Sequence, residues 1–590
     1  MPRVSAVIVI VTAACFVSGC AGKDSGLLRL TIVDHETTEV VAARVTLRHD
    51  SGDFVVPVEA LPVFDDCGKI PFHNWVPVAA SLQAYWGKHR SVWNPFRGST
   101  DFYNSGALAT KLHPGRYRIW VQKGPEYREA EDEFVISSGK EQQLQLALRR
   151  WIDLPTEGWY SSDDHLHIPR PHPRFDPAVA EWMQAEDIHV ANLLQMGLAR
   201  DVHITPQRAF GPRSLYQAGP TLLVGGQENP RTHVLGHSII LGAKSWIDFP
   251  QAYLLYDRAW REAHRQGALN GYAHWAMAGA QDGLAVWAHE DLVDFIEVLN
   301  LGFPYYKTWY EALNLGIRVV PTAGTDYPCV RTLPGRERFY AKVDGALTLD
   351  KWLEAVRHGR TFVTNGPVVE LSVDGAGIGA ELVLRSPRAV KVRARVRFDP
   401  TRDHVERLQI VQAGEVIATQ EVTGENGDFA FEISLPVSVS TWLAARASGR
   451  KVGELPADSI EPLMQYVSSL RRRADRSLRE ELGEIAKPGR PRPSEAHTAP
   501  IYIRVQGTLP IAEQPRACEA ARAWLEILAD LADRLAEDRV AGLAGFPGWG
   551  DGVTLGDLRA NHTQLLQAIQ KARAHYDQQG ACAPSRSANP

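Results

Sequence analysis

From Gly158 to Pro367 the sequence alternates short apolar runs with amphipathic runs, while on either side it reads almost wholly with a period of two. At 590 residues the chain is too long for one core, and this change of period marks where it divides. Strand-like runs in the middle are Leu222–Val224, Ser238–Leu241, Phe295–Val298 and Arg318–Thr322. The helical ones are Pro177–Glu186, Gln251–Gln266, Lys307–Leu315 and Leu349–His358. Alternating β and α over about 200 residues predicts a parallel barrel, with chemistry built where the strands end.

The flanks read as β structure. Leu28–Val33, Val40–Leu47, Tyr117–Val121 and Phe134–Ile136 alternate apolar and polar residues, with a turn at His113-Pro114-Gly115. They predict a sandwich over 27–150 that resembles transthyretin-like or carboxypeptidase-regulatory modules. Val390–Val396, Leu408–Val411 and Phe429–Ile433 predict a second sandwich over 368–510. A charged helix, Ile460–Ile485, and a Pro-rich linker, Lys487–Pro493, interrupt it as an insertion over 460–495, and the strand Ile501–Val505 returns to it. Ala517–Leu535 and Leu555–Tyr576 predict a helical hairpin within 511–582. The expected fold is therefore multidomain, α/β plus β: a barrel over 151–367, two sandwiches and a C-terminal hairpin.

A net charge of −5 gives no basic face for phosphate backbones, which argues against a nucleic-acid partner. Arg3, the apolar run Val4–Ala14 and the sequence Val17-Ser18-Gly19-Cys20 look like a bacterial lipoprotein signal over 1–20. That resemblance implies lipidation of Cys20, export and a membrane anchor. Of the six cysteines, Cys67, Cys329, Cys518 and Cys582 remain beyond that segment. Cys518 and Cys582 are candidates to staple the hairpin, because an exported protein meets oxidising conditions.

His165 and His167 follow the strand-like Trp159-Tyr160, and residues two apart on a strand share a face. Both imidazoles can aim at one point, and neutral imidazole is a common metal ligand. Further candidates follow in order at expected strand ends: Glu228, His237, His274 and Asp326. His233 lacks that context. Asp163 or Asp164 is expected to orient a ligand histidine. Glu297 and Asn300 end another strand and are expected to line a substrate pocket, with Glu186 and Asp187 ranked below them. Trp275, Tyr305, Tyr306 and Tyr327 are candidates for its aromatic wall. Arg170, Arg174 and Arg231 are the arginines that could meet a phosphate.

The motifs Gly158-Trp-Tyr-Ser161, Asp163-Asp-His-Leu-His167, Glu228 with Gly236-His237, Ala273-His274, Ile296–Asn300, Gly324-Thr-Asp326 and Gly359–Pro367 occur in this order. A further echo is Ala496–Pro500. Together they resemble the PHP-type (polymerase and histidinol phosphatase) metallohydrolases, in the branch similar to carbaryl hydrolase. The resemblance implies a distorted (β/α)7 barrel binding one to three divalent ions, zinc, manganese or iron. It implies His165, His167, Glu228, His237, His274 and Asp326 as ligands. Two positions depart from it: Trp275 follows His274 where the family has Pro, and Pro328 stands where the family has its last ligand histidine. The implied activity is hydrolysis of an ester, carbamate, amide or phosphoester in a small molecule, with Glu228 and Asp163 or Asp164 as catalytic groups. The alternative is a barrel without catalysis, acting as a surface binding or scaffold protein.

Overall fold

A computed structural model describes residues 25–65, 89–197, 205–274, 279–300, 303–329, 332–423, 426–451, 493–544 and 553–580. It is a mixed α/β structure, mostly strand. The 1–20 signal with Cys20, the helix Ile460–Ile485, Trp275, Cys67 and Cys582 lie outside the described residues.

The middle of the chain forms a circuit of strands. Trp159–Leu166, Val190–Met196 and Thr221–Thr232 run parallel in that order. Gly236–Leu241 pairs antiparallel with Thr221–Thr232 and with Leu269–Tyr272. Leu269–Tyr272, Phe295–Asn300 and Val320–Ala323 are again parallel. The chain leaving Val320–Ala323 bridges back at Tyr327 to Leu166 of the first strand. One expectation needs correction here: the circuit is not all parallel. Only three residues separate Thr232 from Gly236. That is enough for a hairpin and too few for the crossover a parallel strand needs.

Val190–Met196, Thr221–Thr232, Gly236–Leu241 and Phe295–Asn300 are buried at every position, because both faces are covered. The covering helices follow from periodicity. In Tyr256–Arg265, residues Tyr256, Ala259, Trp260 and Ala263 face inward at helical spacing. This helix starts later than the expected Gln251, because Pro250–Ala252 forms a separate 3-10 turn. Leu349–Arg357 is capped by Thr348, whose hydroxyl accepts from the Lys351 amide. Ala280–Trp287 was not legible in the sequence, where Gly279 and Gly283 mask a short helix.

The N-terminal module has two main sheets. Ala107–Leu112, Gly26–Asp34 and Glu141–Leu148 form one, and a five-stranded sheet centred on Ala43–His49 forms the other. It docks on the circuit through buried ions. Arg44 reaches Asp101 at 2.6 Å and Glu186 at 2.8 Å, and the Tyr103 hydroxyl donates to Glu186 at 2.7 Å. Asp187 pairs with Arg150 at 3.2 Å. Glu186 and Asp187 therefore join modules, and Glu186 lines a cleft with Arg44, Tyr127 and Arg338 that contains none of the six candidate ligands.

In the second β module, Val368–Val373, Arg388–Arg397 and Asp428–Val437 form one sheet. Ile501–Val505 does return to this module, pairing with Glu381–Leu384 and Thr441–Lys451. Pro493–Thr498 also pairs with Thr361–Thr364, which continues the sheet toward the circuit. The helices Pro515–Arg534 and Leu555–Gly580 pack together and dock through Arg534 on Asp282 at 2.8 Å and Trp524 on Glu311 at 3.2 Å. Cys518 is disulfide-bonded. Among the described residues no helix is long and apolar enough to cross a membrane.

Candidate metal centre

His165 and His167, from the end of the first strand, converge as their spacing predicts: their Nε2 atoms are 3.1 Å apart. Asp326 Oδ1 lies 3.4 Å from the first and 3.1 Å from the second. Glu228 stands opposite. Its Oε2 is 3.4 Å from His167 Nε2, and its Oε1 is 2.7 Å from His237 Nδ1 and 3.6 Å from His274 Nε2. Glu228 thus links two groups of side chains. One is His165, His167 and Asp326, the other His237 and His274. In three sets, His165 with His167 and Glu228, His165 with His274 and Asp326, and Glu228 with His237 and His274, the candidate ligand atoms lie within 4.8 Å of one another. All six are buried.

Glu228 does not follow the short run Leu222–Val224. It lies inside the longer strand Thr221–Thr232, which continues past the core to the centre. Asp326 and His274 have positive φ, 54° and 23°. L-residues rarely adopt that conformation, and the surrounding packing has to hold it.

The supporting carboxylates differ from expectation. Glu297, not Asp163 or Asp164, meets a ligand ring: its Oε1 is 3.0 Å from Nδ1 of His165. Its Oε2 accepts from the backbone N–H of His274 and from Asn300 Nδ2, the latter at 3.2 Å. Asn300 also donates to the Gly324 carbonyl at 2.6 Å. Glu297 and Asn300 therefore hold His165, the His274 backbone and Gly324 in place. Asp163 is a clamp: it accepts from the amides of His165, Thr325 and Gly335 and from the Thr325 hydroxyl. Burial pushes its carboxyl up to about 6 against those hydrogen bonds. Asp164 sits beside Glu297, and burial, then that neighbour, pushes it well above the usual carboxylate range.

Among the described residues, the three tyrosines expected in an aromatic wall are engaged elsewhere. Tyr327 is buried, with its ring against Trp182 and its hydroxyl on the Phe64 carbonyl at 2.9 Å in the N-terminal module. Tyr306 stacks near His497 and reaches Glu495. Tyr305 is core, within the cluster that includes Trp309. His233 bonds to the Leu543 carbonyl, away from the centre. Arg170 is spent on Asp176 and on the Ser214 carbonyl, and Arg174 lies over Phe175. Arg231 is different: its Nε is 3.3 Å from Glu228 Oε2. The positioning roles of Glu297, Thr325 and Gly324 escaped the sequence reading, although Gly324-Thr325 stood inside a recognised motif.

These residues fit a divalent cation. Glu297 gathers three N–H groups, including His165 Nδ1, and His167 Nδ1 faces the Leu194 carbonyl at 3.4 Å, which can only accept. Both rings therefore carry the proton on Nδ1, and two Nε2 lone pairs face each other at 3.1 Å, an arrangement that a cation between them would satisfy. Both oxygens of Glu228 are buried among the imidazoles of His167, His237 and His274 and the Arg231 guanidinium. Burial pushes its carboxyl up, but Arg231 and His237 outweigh this and hold it well below the usual range. Burial drives His274 down to about 4, leaving it neutral as a ligand must be. Cys329 lies near His167 and Asp326, but it is disulfide-bonded and has no thiolate to offer, so it does not replace the missing histidine at Pro328.

No family model matches the sequence, and no curated protein does. Among solved structures, GBS52, the minor pilin of the gram-positive pathogen Streptococcus agalactiae, aligns at 14% identity with a TM-score of 0.14. The alignment covers 22% of this chain and less than half, 47%, of the pilin. At that level nothing about fold or function transfers.

Proposed function

We propose that this chain is a metal-dependent hydrolase of the PHP type, in the branch resembling carbaryl hydrolase, with the strand circuit as its distorted (β/α)7 barrel. In this reading His165, His167, Asp326 and Glu228 hold one divalent ion, and Glu228, His237 and His274 hold a second. Zinc, manganese and iron all suit an imidazole and carboxylate set. When bound, such ions supply Lewis acidity and bring the pKa of coordinated water to about 7. The chain's own residues do the rest. Glu228 spans both positions, Glu297 orients His165 and the His274 backbone, and Asp163 holds Thr325, the residue before Asp326, against His165. The bond cleaved is an ester, carbamate, amide or phosphoester of a small molecule. Export and anchoring through Cys20 complete the reading.

The observation that carries this proposal is the pair of facing Nε2 atoms 3.1 Å apart beside a buried carboxylate that also meets His237 and His274. Elemental analysis of the purified chain beside a His165→Ala, His167→Ala variant tests it. Two equivalents of metal, reduced in the variant, together with turnover of one of these bond types, support it. No metal after reconstitution would sink it. Metal without turnover would favour the binding or scaffold role.

A further inference from the structure

Glu228 and Arg231 lie three residues apart on one strand, a spacing that ordinarily sends side chains to opposite faces. Here the pairing with Gly236–Leu241 slips between them. Glu228 stands opposite Ile239 and Arg231 opposite His237, so Asn229 and Pro230 together face the single residue Ser238. Such a bulge re-aims the residue that follows it. The Tyr253 hydroxyl fixes it, accepting from the Arg231 amide at 3.2 Å and donating to Asn229 Oδ1 at 2.8 Å. Asn229 in turn donates to the Ile247 carbonyl at 3.0 Å. The guanidinium therefore arrives 3.3 Å from the carboxylate that links the two groups.

It also arrives where the cluster is least enclosed. Arg231, Asp326 and His237 keep 4%, 6% and 7% exposure, whereas His165 and His167 keep none. An arginine stays charged in any protein environment. Beside divalent ions a guanidinium adds further positive charge, which an anion entering the site would offset. Its planar fork matches a carboxylate or phosphate group.

Resting on the hydrolase reading, we propose that Arg231 is a specificity-determining residue that selects substrates carrying a carboxylate or phosphate group beside the bond to be cut. Hydrolysis adds the elements of water across that bond and releases an acid and an alcohol, phenol or amine; Arg231 touches only the flanking anion.

Calorimetry on the full chain tests this, with zinc alone, then with inorganic phosphate and succinate on the zinc-loaded protein, for wild type, Arg231→Lys and Arg231→Met. Arg231→Met is expected to bind zinc as tightly as wild type or more tightly. It is expected to bind whichever anion wild type prefers about tenfold or more weakly, as loss of a charged hydrogen bond entails, with Arg231→Lys in between. Preference for mono-p-nitrophenyl succinate over p-nitrophenyl acetate should fall in Arg231→Met through KM. Equal anion binding by wild type and Arg231→Met overturns the proposal. So does zinc binding weakened about tenfold or more in Arg231→Met, the mark of a residue that only supports a ligand. Failure of wild type to bind zinc overturns the hydrolase reading and this inference with it, whereas normal zinc binding with unchanged anion binding overturns this inference alone.

Discussion

Oε1 of Glu297 lies 3.0 Å from Nδ1 of His165, on the side of the ring that faces away from the ligand cluster. A carboxylate there fixes the tautomer and makes the ring a better ligand. Burial pushes the Glu297 carboxyl well above the usual range, so the test turns on its acceptor oxygen: Glu297→Gln keeps the shape and puts an amide N–H where an oxygen can accept. It is expected to weaken metal binding about ten- to a hundredfold, read by competition with a chelator; unchanged affinity would contradict the assigned role.

Gly324 has no room for a side chain. A Cβ there would come 2.6 Å from His165 Cβ and 2.7 Å from Glu297 Oε1, and would press on Asp164 Oδ1. Gly324→Ala is expected to lower stability by about 1–3 kcal/mol, the usual cost of overpacking, and to reduce bound metal. Thermal unfolding and elemental analysis of the same preparation check both; a variant as stable and as metal-rich as wild type would show that the site tolerates displacement.

Buried His497 accepts from the Tyr310 hydroxyl at 2.5 Å, and its Nδ1 faces the Thr498 carbonyl at 2.8 Å. Burial holds it down at about 3. A base with a depressed folded pKa binds fewer protons folded than unfolded. Its contribution is therefore complete above the ordinary histidine value of about 6.5 and is lost as pH falls toward 3. The slope from this one group is at most about 1.4 kcal/mol per pH unit. Urea unfolding of wild type and His497→Gln between those limits should show the stability gap closing as pH drops; a constant gap would exclude the titration.

Tyr327 follows a ligand, yet it belongs to the packing. Its carbonyl accepts from the His167 amide at 2.6 Å, while its hydroxyl donates into the N-terminal module. Tyr327→Phe is expected to cost about 0.5–1.5 kcal/mol of stability, the net value of a hydrogen bond, and to leave KM unchanged. A raised KM with unchanged stability would restore it to a substrate pocket.

Arg44 lies between the carboxylates of Asp101 and Glu186, all three buried. Arg44→Met is expected to cost about 3–5 kcal/mol, because it strands buried charge. Denaturant unfolding measures it; a change under about 1 kcal/mol would mean that the pair is solvated as a surface ion pair is.

Which side chains gather in the candidate metal centre was legible in the chain, because strand and helix periods are local. A period of two puts His165 and His167 on one face, and apolar runs announce the strands that deliver Glu228, His237, His274 and Asp326. Helices such as Leu349–Arg357 were legible for the same reason. Roles that depend on which strands are neighbours were not. Glu297 meets His165 across 132 residues of sequence, Tyr327 meets Phe64 across 263, and Arg231 turns toward Glu228 only through a slipped ladder. The three-residue hairpin at 233–235 reversed one strand of an otherwise parallel pattern. The sequence by itself determined which side chains could bind a cation and on which faces their own segments present them. The tertiary structure alone decided which acid supports which ligand and which arginine reaches the centre. Those contacts are fixed by register and closure of the sheet, which bring distant segments together and have no local signature.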